Sequence, residues 1–270
     1  MAVGPHLDFS QLPSSLLLKL IATPVLIGAA TLVGRRWGPA LSGWLVGLPL
    51  TSAPVVFFLA LDYGSPFATA ASLGVILGVA SQAIFAVVYA RVSPLAGWPA
   101  GIFAGTLGFG AATVIFQAVR LPAQAAPPLV VSSLLVGILL LPRPKVADRV
   151  GRVPRGDLPL RMVVATVLVV GLTAIAPHLG PHLTGLLSPY PLYAAILAVF
   201  AQRVEGIAAA IAVWRGLLFG LFSFAAFFTV LSATLVRLGI PAAFALAVVI
   251  AFAIQGIALL LIRTDSALAA

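Results

Sequence analysis

The sequence predicts an all-α, polytopic membrane protein of about nine transmembrane helices, arranged as 4 + 1 + 4 inverted-topology repeats. Three observations predict it: a composition too apolar for a water-soluble fold, the placement of the few basic residues, and an internal duplication. Of 270 residues, 62% are apolar and 8% charged, against about 45–50% and about 25% in an ordinary soluble domain. With only 15 Lys and Arg and 6 Asp and Glu, the chain cannot dress a soluble surface, so most of it must face lipid or itself.

Apolar stretches place the crossings near residues 15–34, 40–61, 66–90, 99–119, 125–141, 162–176, 183–202, 207–236 and 240–262. The first run is unlike a cleaved leader: no cation precedes Lys19, Asp8 stands where a basic region belongs, and Arg35 and Arg36 follow the run. It reads as a retained helix. Six of the cations, Arg143, Lys145, Arg149, Arg152, Arg155 and Arg161, lie in or beside one polar stretch whose net charge is +4 once Asp148 and Asp157 are counted. Charge clustered this way orients helices, so the formal net charge of +9 argues for topology and against nucleic-acid binding. Placing that loop in the cytoplasm puts 11 basic residues inside and 2 outside, leaving aside Lys19 and Arg215. The expectation is a multi-pass protein of the cell inner (plasma) membrane, N-terminus outside and C-terminus cytoplasmic. There is no cysteine, which removes disulfide and thiolate chemistry.

Residues 19–118 align without a gap on residues 161–260, at a constant offset of 142 and with 26 identities over 100 positions. The shared residues are punctuation: Gly38-Pro39 on Gly180-Pro181, Pro49-Leu50 on Pro191-Leu192, Gly64 on Gly206, Gly74 and Gly78 on Gly216 and Gly220, Gly97 and Pro99 on Gly239 and Pro241. The expected units are a first four-helix repeat (15–121), a connecting helix (122–141), a basic cytoplasmic loop (142–161) and a second four-helix repeat (162–263). Parity then decides the symmetry. Four crossings return the chain to its starting side and one more carries it across, so the second copy starts on the opposite face and the repeats are inverted.

The stretch Gly43-Trp44-Leu45-Val46-Gly47-Leu48-Pro49-Leu50 through Gly64 to Gly74, with Leu183-Thr184-Gly185-Leu186-Leu187 through Tyr190-Pro191, resembles the small four-helix GlpM-like bacterial inner-membrane proteins. That family's pattern has a G-L-x-P-L segment in its second helix, a Gly after that helix and a Gly in its third. Here the first copy lacks the intervening residue and the second has Ser188-Pro189-Tyr190 before Pro191. The resemblance spans nearly all of both repeats and implies a fused, inverted pair of four-helix units. In plan this is similar to drug/metabolite-transporter-type proteins, with no shared motif.

Transporters with inverted repeats place substrate where corresponding helices are interrupted. One pair fits: Pro49 and Pro54 interrupt the second crossing and Pro191 the seventh. A mid-helix proline deletes one N–H and frees the carbonyl four residues earlier, and freed groups need hydroxyls, water or a ligand. Thr51, Ser52, Tyr190 and Tyr193 stand nearby. The expected substrate-lining set is therefore Pro49, Thr51, Ser52, Pro54, Tyr190, Pro191, Tyr193 and Arg215, the last read either as interfacial or as internally engaged. A kink tied off by the same hydroxyls, serving packing alone, is the alternative. The paired glycines of the third and eighth crossings predict close packing, with those two crossings set against each other as one arrangement that would use them. His178 and His182 are spaced as helical metal ligands, but Gly180 and Pro181 interrupt them.

No Asp or Glu falls well inside a span, so the usual carboxylate for proton or sodium coupling is missing. No nucleophile with a base, metal cluster or phosphate-cradling loop is visible, so no enzyme activity, cofactor or metal is expected. The functional expectation is a secondary transporter or exporter of a small solute, working by alternating access, with membrane lipid and a small molecule as partners and oligomeric state open. The alternative is a non-transporting scaffold or accessory subunit of an envelope lipid or polysaccharide assembly.

Overall fold

The computed structural model describes residues 20–21, 24–25, 44–50, 52–119, 121–142 and 157–268. Most of the first expected crossing, Thr51 and most of the basic loop lie outside the described residues. Among the described residues the chain is entirely helical: α1 (Ser52–Tyr63), α2 (Ser65–Ala118), α3 (Ala126–Leu140), α4 (Asp157–Leu187), α5 (Leu192–Glu205) and α6 (Ile207–Leu268).

Among the described residues three stretches are long and apolar enough to cross a membrane: Ser65–Ala118, Ala123–Leu140 and Ile207–Leu260. A fourth counts if Ala174–Leu187 and Leu192–Glu205, bent by 42°, form one broken span. Counted as continuous helices these are fewer than the nine expected, and two glycines account for much of the difference. Gly97, with φ 82° and ψ 171°, interrupts α2, and the segment after it folds back on the segment before it. A Cβ on Gly101 would stand 2.9 Å from Ser93 Cβ, and one on Gly105 3.0 Å from Phe85. Thr113 Oγ1 lies 3.5 Å from Ser81 Oγ, whereas a straight helix would hold them roughly 48 Å apart at about 1.5 Å per residue. Gly239 does the same in α6: Ser223 bonds to Gln255, and the Phe227 and Phe244 rings lie 5.9 Å apart.

The local reason is readable. A reversal without an exposed loop needs a residue with positive φ, which glycine adopts at little cost. A proline one or two positions later presets the first turn of the next helix. The pairs Gly64 with Pro66, Gly97 with Pro99, Gly180 with Pro181 and Gly239 with Pro241 all follow this rule, and the described residues with positive φ are these four glycines and Gly206. Gly64 and Gly206, 142 residues apart, have φ values of 84° and 91°; Gly97 and Gly239, equally spaced, have 82° and 75°.

The two proline segments are both interrupted helices, with matched hydrogen bonding. Leu50 N–H donates to Leu48 O at 2.7 Å and Ala53 N–H to Pro49 O at 2.9 Å; 142 residues on, Leu192 N–H donates to Tyr190 O and Ala195 N–H to Pro191 O, both at 2.8 Å. Each break lies against a glycine of the other half. Built Cβ atoms would come within 2.5 Å of Gly220 Cα at Gly47, 2.4 Å of Pro189 at Gly78, and 2.0 Å of Ala71 O at Gly185. The expectation that the third- and eighth-crossing glycines pack on each other is thereby corrected: Gly74 and Gly78 receive residues 182–189, and Gly220 receives Trp44 and Gly47. An interrupted helix offers bare backbone with no side-chain ridge, so it can approach a glycine face more closely than an intact helix can.

The core gathers on these contacts, with Phe58, Phe85, Tyr89, Trp214, Leu217, Leu218, Phe227 and Phe228 all fully buried. Outside it the surface is apolar: α3 buries Val130 and Leu134 but exposes Leu135, Val136 and Leu139. Long apolar helices with an apolar exterior are compatible with residence in a membrane.

Gly185→Ala is expected to destabilise the folded protein by about 1–3 kcal/mol, since its Cβ would meet the Ala71 carbonyl. Gly110→Ala, with nothing within 4 Å of its Cβ, is expected to be neutral or slightly stabilising. Thermal unfolding in detergent compares the two.

Candidate functional site

The two interrupted helices meet. Ser52, fully buried at the start of α1, donates its hydroxyl to Ser188 O across the seam at 3.1 Å. Pro49, Pro54 and Pro191 are buried around this point, and Tyr190 and Tyr193 are half-buried. Seven of the eight expected site residues are thus described, and Ser52 of the second expected crossing meets the break of the seventh; Thr51 lies outside the described residues.

Tyr190 is the hinge of an aromatic cluster. Its hydroxyl pairs with Thr106 Oγ1 at 2.7 Å, and its ring meets Phe85 and Phe109 edge-on at centroid distances of 5.9 and 5.3 Å. Phe85 and Tyr89 in turn flank Trp214, each at 5.2 Å. Below the rings, Gln202 Oε1 at the end of α5 accepts from both Tyr89 Oη and Ser93 Oγ at 2.7 Å. Helix periodicity puts Gly74, Gly78, Phe85, Tyr89 and Ser93 along one side of the first segment of α2. That side carries the α4–α5 break from Gly185 to Gln202.

Arg215 takes the internally engaged position. It is 6% exposed and donates Nη1 to Ile138 O at 3.0 Å and Leu141 O at 3.2 Å. Arg91 donates Nη2 to Leu140 O at 2.9 Å. Two guanidinium groups therefore cap the C-terminal end of α3, where the last carbonyls are unpaired and the helix dipole is negative. In the described contacts Arg215 serves the connecting helix. His182 Nδ1 lies 2.8 Å from Gln117 Oε1, and among the described residues no group of three His, Cys, Asp or Glu converges.

Polar satisfaction differs between the breaks. Around the first, Gln255 Nε2 donates to Trp44 O at 2.9 Å while Gln255 Oε1 accepts from Ser223, and one atom, Trp44 Nε1, is buried without a partner. Around the second, Ser188 Oγ, Gln82 Oε1 and Trp214 Nε1 are buried without hydrogen-bond partners. Such atoms are uncommon in buried positions. Sequence reasoning did not single out Gln82, Gln202 or Gln255 as site residues. It missed the Tyr89–Gln202–Ser93 group, which is assembled from positions about 110 residues apart with no local pattern.

Comparison of the chain with protein-family models, with curated proteins and with solved structures returns no match.

Gln202→Leu is expected to lower stability by about 1–3 kcal/mol, because it strands the Tyr89 and Ser93 hydroxyls. Arg215→Leu is expected to cost about 2 kcal/mol by removing the charged donor from the Ile138 and Leu141 carbonyls. Both are read by thermal unfolding of purified protein, and an unchanged midpoint for either refutes its role.

Proposed function

We propose that the chain is an integral membrane protein that transports or exports a small solute by alternating access between two inverted four-helix repeats, with the seam between the two interrupted helices as its pathway. The observation that carries this reading is the meeting of the breaks at Ser52 and Ser188. Transporters built on inverted repeats use discontinuous helices for their sites, and irregular backbone at membrane depth is tolerated only where it is buried in protein or lines a cavity.

Counting the segments on either side of Gly97, Gly180 and Gly239 as separate crossings gives the 4 + 1 + 4 plan, with the first crossing outside the described residues. Charge-based orientation and side-chain pairing agree with it. Arg91 and Leu140, both assigned to the cytoplasmic side, meet; Gln117 and His182, both assigned to the outer side, meet. Repeat exchange also relates contacts: Gly78 on Pro189 maps, at the offset of 142, onto Gly220 on Gly47. On this reading the chain is the fused pair of four-helix units that the GlpM-like resemblance implies.

The chain has no cysteine, so a Ser52→Cys/Ser188→Cys pair can be cross-linked without background. In proteoliposomes loaded with a panel of metabolites and dyes, oxidation of this pair is expected to stop solute movement and reduction to restore it. Transport that continues through the cross-linked seam, or wild-type vesicles that move nothing, refutes the reading.

A further inference from the structure

The pseudo-equivalent contacts around the two breaks differ in one chemical respect. At the first break Trp44 O accepts two hydrogen bonds, from Gly47 N–H at 3.1 Å and from the Gln255 carboxamide at 2.9 Å. The same amide reaches Ser223 through its oxygen. At the second break the residues 142 positions away are Leu186 for Trp44 and Pro189 for Gly47, while Thr113 stands opposite Gln255 and Ser81 opposite Ser223. Pro189 has no N–H to give. Thr113 is shorter than glutamine and spends its hydroxyl on Ser81 at 3.5 Å. Neither of the two bonds to Trp44 O has a counterpart at Leu186 O. The contact is otherwise preserved, because a Cβ on Gly78 would stand 2.6 Å from Leu186 O and one on Gly220 2.4 Å from Trp44 O.

Of the five buried side-chain polar atoms without partners among the described residues, Trp44 Nε1 lies at the first break and Thr69 Oγ1 on α2, while Ser188 Oγ, Gln82 Oε1 and Trp214 Nε1 lie around the second. Ser188 belongs to the break and is fully buried; Gln82 is one helical turn beyond Gly78 and 5% exposed. Trp214 is fully buried against Phe85, which lies one turn beyond Gln82 and also touches Tyr190. Together they offer an acceptor at Gln82 Oε1, a donor at Trp214 Nε1, and both at Ser188 Oγ. No carboxylate or cation is among them, and flat aromatic faces border them.

We infer that the second break is a binding subsite for a small, uncharged, planar hydrogen-bonding solute of the carboxamide type, which takes there the place that the Gln255 side chain fills at the first break. The inference rests on the transport reading for its biological sense, but not for its test. A neutral group fits because the site offers unspent donors and acceptors without a compensating charge, and an ion buried there would be left unpaired. One face of the solute stacks on a single ring of the Phe85, Tyr190 and Trp214 cluster, whose planes are inclined to one another, while its edge bonds the polar atoms. Entry requires the Pro189 and Leu186 contact with Gly78 to loosen, which is the seam the proposed cycle moves.

The decisive variant is Thr113→Gln, which supplies the missing carboxamide from the protein itself. Acetamide is the probe, with glycerol as a neutral non-planar control and tetraethylammonium and phosphate as charged controls. In detergent, acetamide is expected to raise the wild-type thermal midpoint saturably and more than the controls do. Thr113→Gln is expected to be at least as stable as wild type without ligand and to lose at least nine-tenths of the acetamide response. Ser188→Ala is expected to weaken the response severalfold, which keeps the test open if Thr113→Gln fails to fold. In proteoliposomes, an acetamide gradient should re-swell wild-type vesicles faster than Thr113→Gln vesicles. No saturable acetamide stabilisation, an equal response from Thr113→Gln and Ser188→Ala, or preferential stabilisation by either ion overturns the inference. Saturable binding without re-swelling overturns the transport reading while the subsite stands.

Discussion

The structure depends on backbone meeting backbone where side chains are absent. Gly47 on Gly220, Gly185 on Ala71, and Gly78 under Leu186 and Pro189 are approaches in which a single Cβ would fall 2.0–2.6 Å from its neighbour. Two intact helices with ordinary side chains hold their axes about 8–10 Å apart. A helix stopped by proline presents a blunt end of carbonyls, and a glycine on the facing helix lets that end sink in. The result joins the two halves of the chain at two points, and each point needs both ingredients: the interruption on one side and the missing side chain on the other. Close packing also provides the dispersion that association in lipid relies on, since burial of apolar surface drives little there.

Once the breaks are sunk into the opposite half, their polar groups cannot reach water. The chain satisfies them unevenly. Gln255 serves Trp44 O and Ser223 at the first break, where Trp44 Nε1 alone stays unpaired, and Ser52 serves Ser188 O at the second. The second keeps Ser188 Oγ, Gln82 Oε1 and Trp214 Nε1 unpaired within a ring of aromatic contacts. The residues around the two breaks thus differ in chemistry at a few positions, of which Gln255 opposite Thr113 and Gly47 opposite Pro189, at the offset of 142, matter most.

Much of this was legible in the sequence because glycine and proline carry their meaning locally. The reversals at Gly97 and Gly239 and both helix breaks follow from residues within a few positions of one another. So does the all-helical class, from composition alone. Partners were harder to read. Gly74 and Gly78 announce a close approach but not its object, and they receive the α4–α5 break rather than the eighth-crossing glycines. Gln202 gathers Tyr89 and Ser93 from another helix, a relation set by the rotation of two helices about their axes and invisible to spacing. Arg215 was ambiguous because a span of adequate length could begin after it. Its position was decided by the carbonyls at the end of α3, which are unsatisfied by construction and so draw the nearest strong donor.

That choice of donor gives the connecting helix its role. α3 has no counterpart in either half, yet its last turn holds one arginine from each: Arg91 from α2 and Arg215 from α6. Arg215 is buried and Arg91 exposed. Three carbonyls at the end of a helix, where its dipole is negative, give both a place. The two halves are therefore tied at one end through a third element, while at the level of the breaks they touch directly through glycine and serine. If the halves move as proposed, these unlike connections divide the work. Parting the charged tie would strand the buried Arg215 guanidinium, whereas parting the breaks would cost the glycine contacts and the neutral hydrogen bonds Ser52–Ser188 O, Gln255–Trp44 O, Tyr190–Thr106 and those to Gln202. The seam between the breaks is then the one joined without charge, and unpaired polar groups lie along it.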